Sequence, residues 1–593
     1  IYGDGGLVHI SDDVTLPQFL FDQHHQLGGE ALHSRNPTYF VDDATGRHIT
    51  GDEASICAHL QSGRVRARVF GLANALHIRW GIRNDDVVCI FGPNNVDYPT
   101  VIWATHRVGG TITGANPAYT VDELVYQIQT AKATILFLHS DCLNVGLEAA
   151  RKAGIRDDRI ALFDAASGDR HVTVSDLVKE GLAQPKRYVE PHLKPGEAKT
   201  KLALLLFSSG TTGRPKAVMI SHYAVIANCV QMKQCADMRD AALPNEKKLY
   251  DVGDVGLGVL PFYHIYGVVV SLHFFLFCGM SLVIVSKFNF ENMLKSIQRY
   301  KITHLTLVPP MVVLLCKHPA VKNYDLSSVK LMACGAAPVS AELTRQVAEV
   351  LKSSWIAQGY GMTEAGSITR SFPEADSRIG TLGSVGRLMP GTACRVLKAD
   401  GSWGMYNETG HLVITGPSMA IGYLDNPEAT AETFKDGWVF TGDEGYVNEK
   451  KEVFILDRIK ELIKVHGFQV APAELEGHLL GHPDVSDVCV VAAPDEYSGE
   501  LPFAFVVLHD KVRKRVFKSP VDAERVRQAI LKHVSDHKTQ YKWLAGVEFV
   551  DAVPKNPSGK LLRRVVRDRL KESLKDGRIK LVQAGAKKVR VKL

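Results

Sequence analysis

No Cys-x-x-Cys pair occurs among the ten cysteines, which stand singly between Cys57 and Cys489. That spacing argues against zinc sites and dithiol redox motifs, and scattered single thiols suit a reducing compartment. Strong charge of one sign is also missing. A net +6 over 593 residues is mild and gives no argument for nucleic acid. Much of the excess is local, with Arg563, Arg564, Arg567, Lys580, Lys587, Lys588, Arg590 and Lys592 crowding the C-terminal end. They read as a solvated basic tail or as an attractor for a polyanionic ligand. No internal repeat or low-complexity tract is visible. Ile1-Tyr2-Gly3-Asp4 opens no basic-then-apolar targeting pattern. Only Val268–Val285 approaches the apolar length of a membrane span, and His273 and Cys278-Gly279 interrupt it. A buried helix running into a buried strand is expected there, and no transmembrane span. The final Val591-Lys592-Leu593 comes near a peroxisomal S-K-L tripeptide. The expectation is a cytoplasmic protein, or a peroxisomal one if that tripeptide acts as a weak signal.

What is present reads as globular. Hydrophobic residues make up 45% and charged ones 23%, near the average of soluble domains. The length exceeds what one hydrophobic core serves, so at least two domains are expected. Short apolar runs read as strands: Val87–Phe91, Ala133–Leu138, Leu202–Phe207, Ser281–Val285 and His304–Val308. Val101–Val108 and Leu343–Leu351 read as helices between them. This alternation predicts α/β layers with largely parallel sheets. The polar stretch Asp237–Asp251 reads as a surface loop. Gly401–Leu456 is rich in Gly, Thr and β-branched residues, as in hairpins. After Asp457-Arg458-Ile459-Lys460 a small α+β unit is expected, with a helix from Pro472, strands at Val488–Ala492 and Ala504–Val507, and a helix over Val521–His533. The fold class is therefore α/β: a large N-terminal domain, 1–458, and a small C-terminal one, 459–593.

The strongest signal follows the Leu202–Phe207 run. Ser208-Ser209-Gly210-Thr211-Thr212-Gly213-Arg214-Pro215-Lys216-Ala217 offers backbone N–H groups and hydroxyls to phosphate oxygens, and Lys216 adds a mobile charge. It is not a Walker A loop, because Gly210 and Gly213 are too close and Ala217 follows the lysine. A second signal is Gln358-Gly359-Tyr360-Gly361-Met362-Thr363-Glu364. Its small residues let a flat base approach the backbone, and Tyr360 can stack on it. Thr363 can donate to an α-phosphate, and Glu364 suits Mg²⁺, a hard ion.

These segments resemble the adenylate-forming superfamily of acyl-CoA synthetases, luciferases and adenylation domains, in order and across most of the chain. Leu260-Pro261-Phe262-Tyr263-His264-Ile265-Tyr266-Gly267 resembles the family segment whose histidine lies over the acyl pocket. Gly335-Ala336-Ala337-Pro338 resembles its adenine-flanking turn, and Thr441-Gly442-Asp443 and Arg458 its ribose contacts. Lys460 sits where that family pivots its small domain. Lys464-Val465-His466-Gly467-Phe468-Gln469 and Pro554-Lys555-Asn556-Pro557-Ser558-Gly559-Lys560 continue the likeness. Asn116-Pro117-Ala118-Tyr119-Thr120 and Lys464–Glu476 are most similar to 4-coumarate–CoA ligases and related aryl- and fatty acyl-CoA ligases. Ser367-Ile368 departs where those ligases carry Pro and a hydrophobe, His411 where glutamate is usual, and His466 where lysine is frequent.

The resemblance implies a large domain of layered α/β sheets with a β-rich subdomain, and a mobile C-terminal domain. It implies ATP, Mg²⁺ and coenzyme A as co-substrates and cofactors, with a small carboxylic acid as substrate. The implied catalytic set is Lys560, Thr363, Glu364, His264, Lys464 and Gln469, with Glu364 on Mg²⁺. ATP or AMP would meet Ser208, Ser209, Gly210, Thr211, Thr212, Gly213, Lys216, Gly335, Ala336, Ala337, Gln358, Gly359, Tyr360, Gly361, Met362, Asp443 and Arg458. The acyl pocket would use Tyr263, His264, Val308, Gly335, Gly359, Ser367 and Ile368, and CoA would meet Lys464, His466 and Gly467. A carboxylate and ATP repel, so joining them calls for cations at both ends, with Lys560 bridging carboxylate and α-phosphate. The expected reaction forms acyl-AMP and then a CoA thioester, on an aryl or phenylpropenoic acid. A fatty acyl-CoA ligase, a luciferase-like oxygenase and a nucleotide binder without catalysis are the rivals. Monomer and dimer both stay open.

Overall fold

The computed structural model describes residues 1–22, 38–50, 65–164, 170–208, 215–242, 248–337, 339–371, 377–466, 468–495, 498–555, 561–579 and 581. Two compact units divide the chain. The first takes Ile1–Ala336, Gln346–Arg395 and Val413–Thr441; the second takes Ala337–Arg345, Val396–Leu412 and Gly442–Leu593. The sequence-derived boundary at 458/459 falls inside the second unit.

The first unit is built on two large sheets. In one, eight strands run in the order Val172–Thr173, Ile160–Leu162, Ala133–Leu138, Val87–Phe91, Thr111–Ala115, Leu202–Ser208, Lys216–Ser221, Gly422–Tyr423. The first six are parallel, and Lys216–Ser221 runs antiparallel to both its neighbours. All five residues of Val87–Phe91 are buried, as a parallel strand covered on both faces requires. Between strands lie helices such as Val121–Ala131. Its start is fixed by Thr120, whose N–H donates to Glu123 Oε2 at 2.8 Å while its hydroxyl accepts from Glu123 N.

The other sheet has nine strands, with a parallel centre made by Thr38–Asp42, Ser281–Ile284, Val255–Gly258, His304–Leu307, Leu331–Cys334 and Trp355–Met362. The apolar stretch expected as a buried helix and strand is a π-type helix, Tyr266–Phe274, then Phe275–Phe277 and the strand Ser281–Ile284. No helix among the described residues is long and apolar enough to cross a membrane. One expectation is corrected. Asp237–Ala242 is not loop but the last part of helix His222–Ala242. Arg239 is buried there with its guanidinium 3.4 Å from the Trp355 ring centroid. Packing of that stem and ring outweighs the polar composition of the segment.

The second unit has a sheet in which Phe468–Val470, Ile463–Val465, Gly499–Leu508 and Val485–Asp495 lie side by side, with Val547–Phe549 parallel to Gly499–Leu508. Helices Pro472–Leu479, Pro520–His537 and Arg563–Lys575 cover it. Val488 and Val490 pack into one core with Leu475, Leu479 and Ile530. Cys489 and Val491 pack into another with Phe503, Val566 and Leu570. The unbroken apolar run at Val488–Ala492 thus reflects a strand buried on both faces.

Candidate active site

The phosphate-loop strand and its partner bring Ser208 opposite Lys216 across an antiparallel ladder. Glu364, in the turn after strand Trp355–Met362, is buried beside them. Ser208 Oγ donates to Glu364 Oε1 at 3.1 Å, and the hydroxyl of Tyr423 donates to the same oxygen at 2.8 Å. Lys216 Nζ lies 4.2 Å above the Tyr423 ring. Main-chain contacts hold this corner: Ala420 N donates to Glu364 O, and Ser418 Oγ to Ala365 O, both at 2.9 Å. A carboxylate, an ammonium group and hydroxyls so arranged can bind a polyphosphate and its counter-ion. Glu364 fits Mg²⁺, since its Oε2 makes no hydrogen bond among the described residues and magnesium prefers carboxylate oxygen. Tyr423 carried no motif signal; only the rule that a buried tyrosine hydroxyl seeks a partner points to it.

Val308 and Gly335 stand just beyond the C-terminal ends of neighbouring parallel strands, and Gly359 follows Gln358, the last parallel-paired residue of the next, where open α/β sheets bind ligands. A Cβ on Gly335 would lie 3.2 Å from the Tyr266 ring and 3.5 Å from Gly359 O. Ala336 follows at φ 69°, a left-handed conformation costly for alanine. Gln358, Gly359, Tyr360, Gly361 and Met362 lie on one strand, of which Gly359–Met362 pairs antiparallel with Gly366–Arg370 across a bulge between Tyr360 and Gly361. There Gly361 faces Ser367, and a Cβ on it would lie 2.3 Å from Gly366 O. Ser367 is held through its backbone: its N–H donates to Asn228 Oδ1 at 3.0 Å, and Asn228 Nδ2 donates to Ser367 O at 2.9 Å. Ile368 is buried.

Tyr263 and His264 sit on a segment that Asn94 clamps. Asn94 Nδ2 donates to Leu260 O at 2.8 Å, and Asn94 Oδ1 accepts from Phe262 N at 2.8 Å. Burial pushes the Tyr263 hydroxyl well above its usual range. His264 Nδ1 accepts from Tyr266 N at 3.3 Å.

In the second unit Asp443 is buried and pairs with Arg458, whose Nε donates to Asp443 Oδ1 at 2.7 Å across the strand pair. The departure His411 has a local role: its Nε2 accepts from Gly442 N at 2.8 Å, one residue before Asp443. With its amide oriented to donate, Gln469 lies 2.8 Å from both oxygens of Glu444. Burial, and then nearby Asp457, raises the Glu444 carboxyl above the ordinary range. Lys460 and Lys464 are exposed. His466, at φ 49°, donates its N–H to Ser498 O at 2.8 Å, and its Nε2 lies 3.1 Å from Ser498 Oγ.

Arg563 is not part of a solvated basic tail. It is half-buried, binds Glu461 at 2.9 Å and takes Glu476 in a two-pronged pair. Ser209, Gly210, Thr211, Thr212, Gly213, Gly467 and Lys560 lie outside the described residues. So do most of the other basic residues at the C-terminal end, from Lys580 on.

Residues 57–424 match the model of the AMP-binding enzyme family, and residues 474–560 that of the AMP-binding enzyme C-terminal domain. The chain therefore belongs to the AMP-binding enzymes, an adenylate-forming class. Over 96% of its length, and 96% of the relative's, it is 33% identical to 4-coumarate-CoA ligase 1 of Narcissus pseudonarcissus. It is 37% identical to 4-coumarate–CoA ligase 2 of Nicotiana tabacum over 85% of this chain and 88% of that one. The fold matches ATP-bound MatB from Rhodopseudomonas palustris with a TM-score of 0.76, at 26% identity, over 94% of this chain and 99% of that one. Within its family the chain is an acid–CoA ligase.

Proposed function

We propose that this ligase takes an aryl or phenylpropenoic acid, forms its acyl-AMP with release of pyrophosphate, and passes the acyl group to CoA. The observation that carries the reading is the buried Glu364 carboxylate with two hydroxyl donors beside Lys216. The 4-coumarate–CoA ligase names of the relatives support the acid class.

In this reading Ser208, Ser209, Gly210, Thr211, Thr212, Gly213 and Lys216 bind the phosphates. Thr363 donates to the α-phosphate. Glu364 holds Mg²⁺, which neutralises phosphate charge when bound. Gly335, Ala336, Ala337 and Gln358–Met362 flank the adenine, and Asp443 and Arg458 take the ribose hydroxyls. Tyr263, His264, Val308, Gly335, Gly359, Ser367 and Ile368 line a slot for a flat acyl group. Lys560 bridges the attacking carboxylate and the α-phosphate, aligning both and offsetting their repulsion. Lys464, His466 and Gly467 receive CoA, Gln469 serves the small unit's catalytic face, and Lys460 is the pivot between the two half-reactions.

The test is CoA thioester formation over a panel of cinnamic, benzoic and long-chain fatty acids. Higher kcat/KM for the phenylpropenoic or benzoic members is expected. A long-chain fatty acid as the best substrate overturns the acid class, and pyrophosphate release without thioester overturns the CoA step.

A further inference from the structure

The second unit holds a histidine cluster that the ligase chemistry does not use. His478 lies in the last turn of helix Pro472–Leu479, and His533 and His537 lie one turn apart on helix Pro520–His537. The His478 and His533 rings stack with centroids 4.3 Å apart and planes 10° from parallel. The His537 ring is 5.3 Å from each of them. One nitrogen from each of the three rings lies within 4.8 Å of the other two.

Each ring also has a nitrogen on a backbone carbonyl. His478 Nε2 is 3.0 Å from His533 O, His533 Nε2 is 3.3 Å from His478 O, and His537 Nδ1 is 2.8 Å from His533 O. Carbonyl contacts of this kind orient the rings, as they do for many metal-bound histidines. Burial holds His478 below the ordinary histidine range, partly offset by its contact with the His533 carbonyl. Nearby Lys538 is paired with Glu474 at 2.8 Å. His482 also abuts His533, at 5.2 Å, but its Nδ1 accepts from Asp484 N at 3.1 Å and is committed there.

We propose that His478, His533 and His537 bind one divalent transition-metal cation of the zinc class, which ties the two helices together. Imidazole nitrogen suits Zn²⁺, Cu²⁺ and Ni²⁺, whereas the Mg²⁺ of the ligase reaction requires oxygen. Three histidines leave one position of a tetrahedral zinc for water. Metal–nitrogen bonds of about 2.0–2.1 Å draw the three nitrogens inward from their present spacing, and His537 is exposed and able to turn.

The experiment uses the full chain without an affinity tag, freed of metal by chelator and titrated with Zn²⁺ by calorimetry. Thermal unfolding is followed with and without the ion. One saturable equivalent is expected, together with a rise in Tm. His537→Gln, a surface change, is expected to weaken binding at least tenfold, the lower end of what even an outer-shell change costs, and to abolish the Tm rise. His478→Asn is expected to do the same, and His482→Asn to leave both unchanged. Mg²⁺-dependent adenylation without zinc stays at the parent level in His537→Gln. Absence of a saturable equivalent, or equal Zn²⁺ affinity in the parent, His537→Gln and His478→Asn, overturns the proposal.

Discussion

Glu364 spends one oxygen on two hydroxyls, and its other makes no hydrogen bond among the described residues. Tyr423→Phe removes one donor from a buried carboxylate and keeps the ring beneath Lys216. Hydrogen bonds to charged groups contribute about 1.5–3 kcal/mol, so kcat/KM for pyrophosphate release is expected to fall about ten- to hundredfold. Steady-state assays across Mg²⁺ concentrations check this; an unchanged rate removes Tyr423 from the site. Lys560 makes a different test. Lys560→Ala is expected to lose at least about a hundredfold in acyl-AMP formation, the scale of losing one strong electrostatic contact. Thioester formation from pre-made acyl-AMP should largely survive. Single-turnover measurement of each half-reaction distinguishes this from a lysine that serves both.

At the scale of elements, the short apolar runs were legible because a strand covered on both faces has little choice of residue. Val87–Phe91 and Ala133–Leu138 fall where the apolar pattern places them. The end of helix His222–Ala242 was not legible, since the Trp355 ring that packs on Arg239 is distant in sequence. Arg563 was hidden for the same reason: nothing local in its basic neighbourhood announces Glu461 and Glu476. Motif residues within one turn or strand, such as Gln358–Met362 and Glu364, could be read directly; Tyr423, Asn94 and Asn228 act through tertiary contacts and could not. Gly361 shows how tight an element can be. Gly361→Ala puts a Cβ against Gly366 O, so the Trp355–Met362 and Gly366–Arg370 strands must part. Lower Tm and weaker ATP binding are expected, read by calorimetry and nucleotide titration. At the proposed pivot, Lys460→Pro restricts φ, and the lost N–H makes no hydrogen bond among the described residues. Adenylation is expected to remain measurable while thioester formation slows much more; equal effects on both steps make Lys460 an ordinary linker charge.

For the whole molecule, four buried histidines of the first unit couple folding to pH. Burial lowers His106 to about 3 and His273 and His304 to about 4, and it lowers His222 well below its usual value. Their unfolded forms titrate near 6.5, so below that pH the unfolded chain binds more protons. Stability is complete above about pH 6.5 and falls as pH drops toward 4, by about 2 kcal/mol at pH 5 for each of His106, His273 and His304. Tm should therefore decline from pH 7.5 to pH 5.0; a flat or rising Tm contradicts neutral burial. A last consequence concerns inheritance. Every residue proposed for the acyl slot lies in the first unit, while the second has two apolar cores of its own. On that proposal a lineage can change its acid by mutating one cassette and leave the second unit untouched, and a bench chemist recombining such enzymes can do the same.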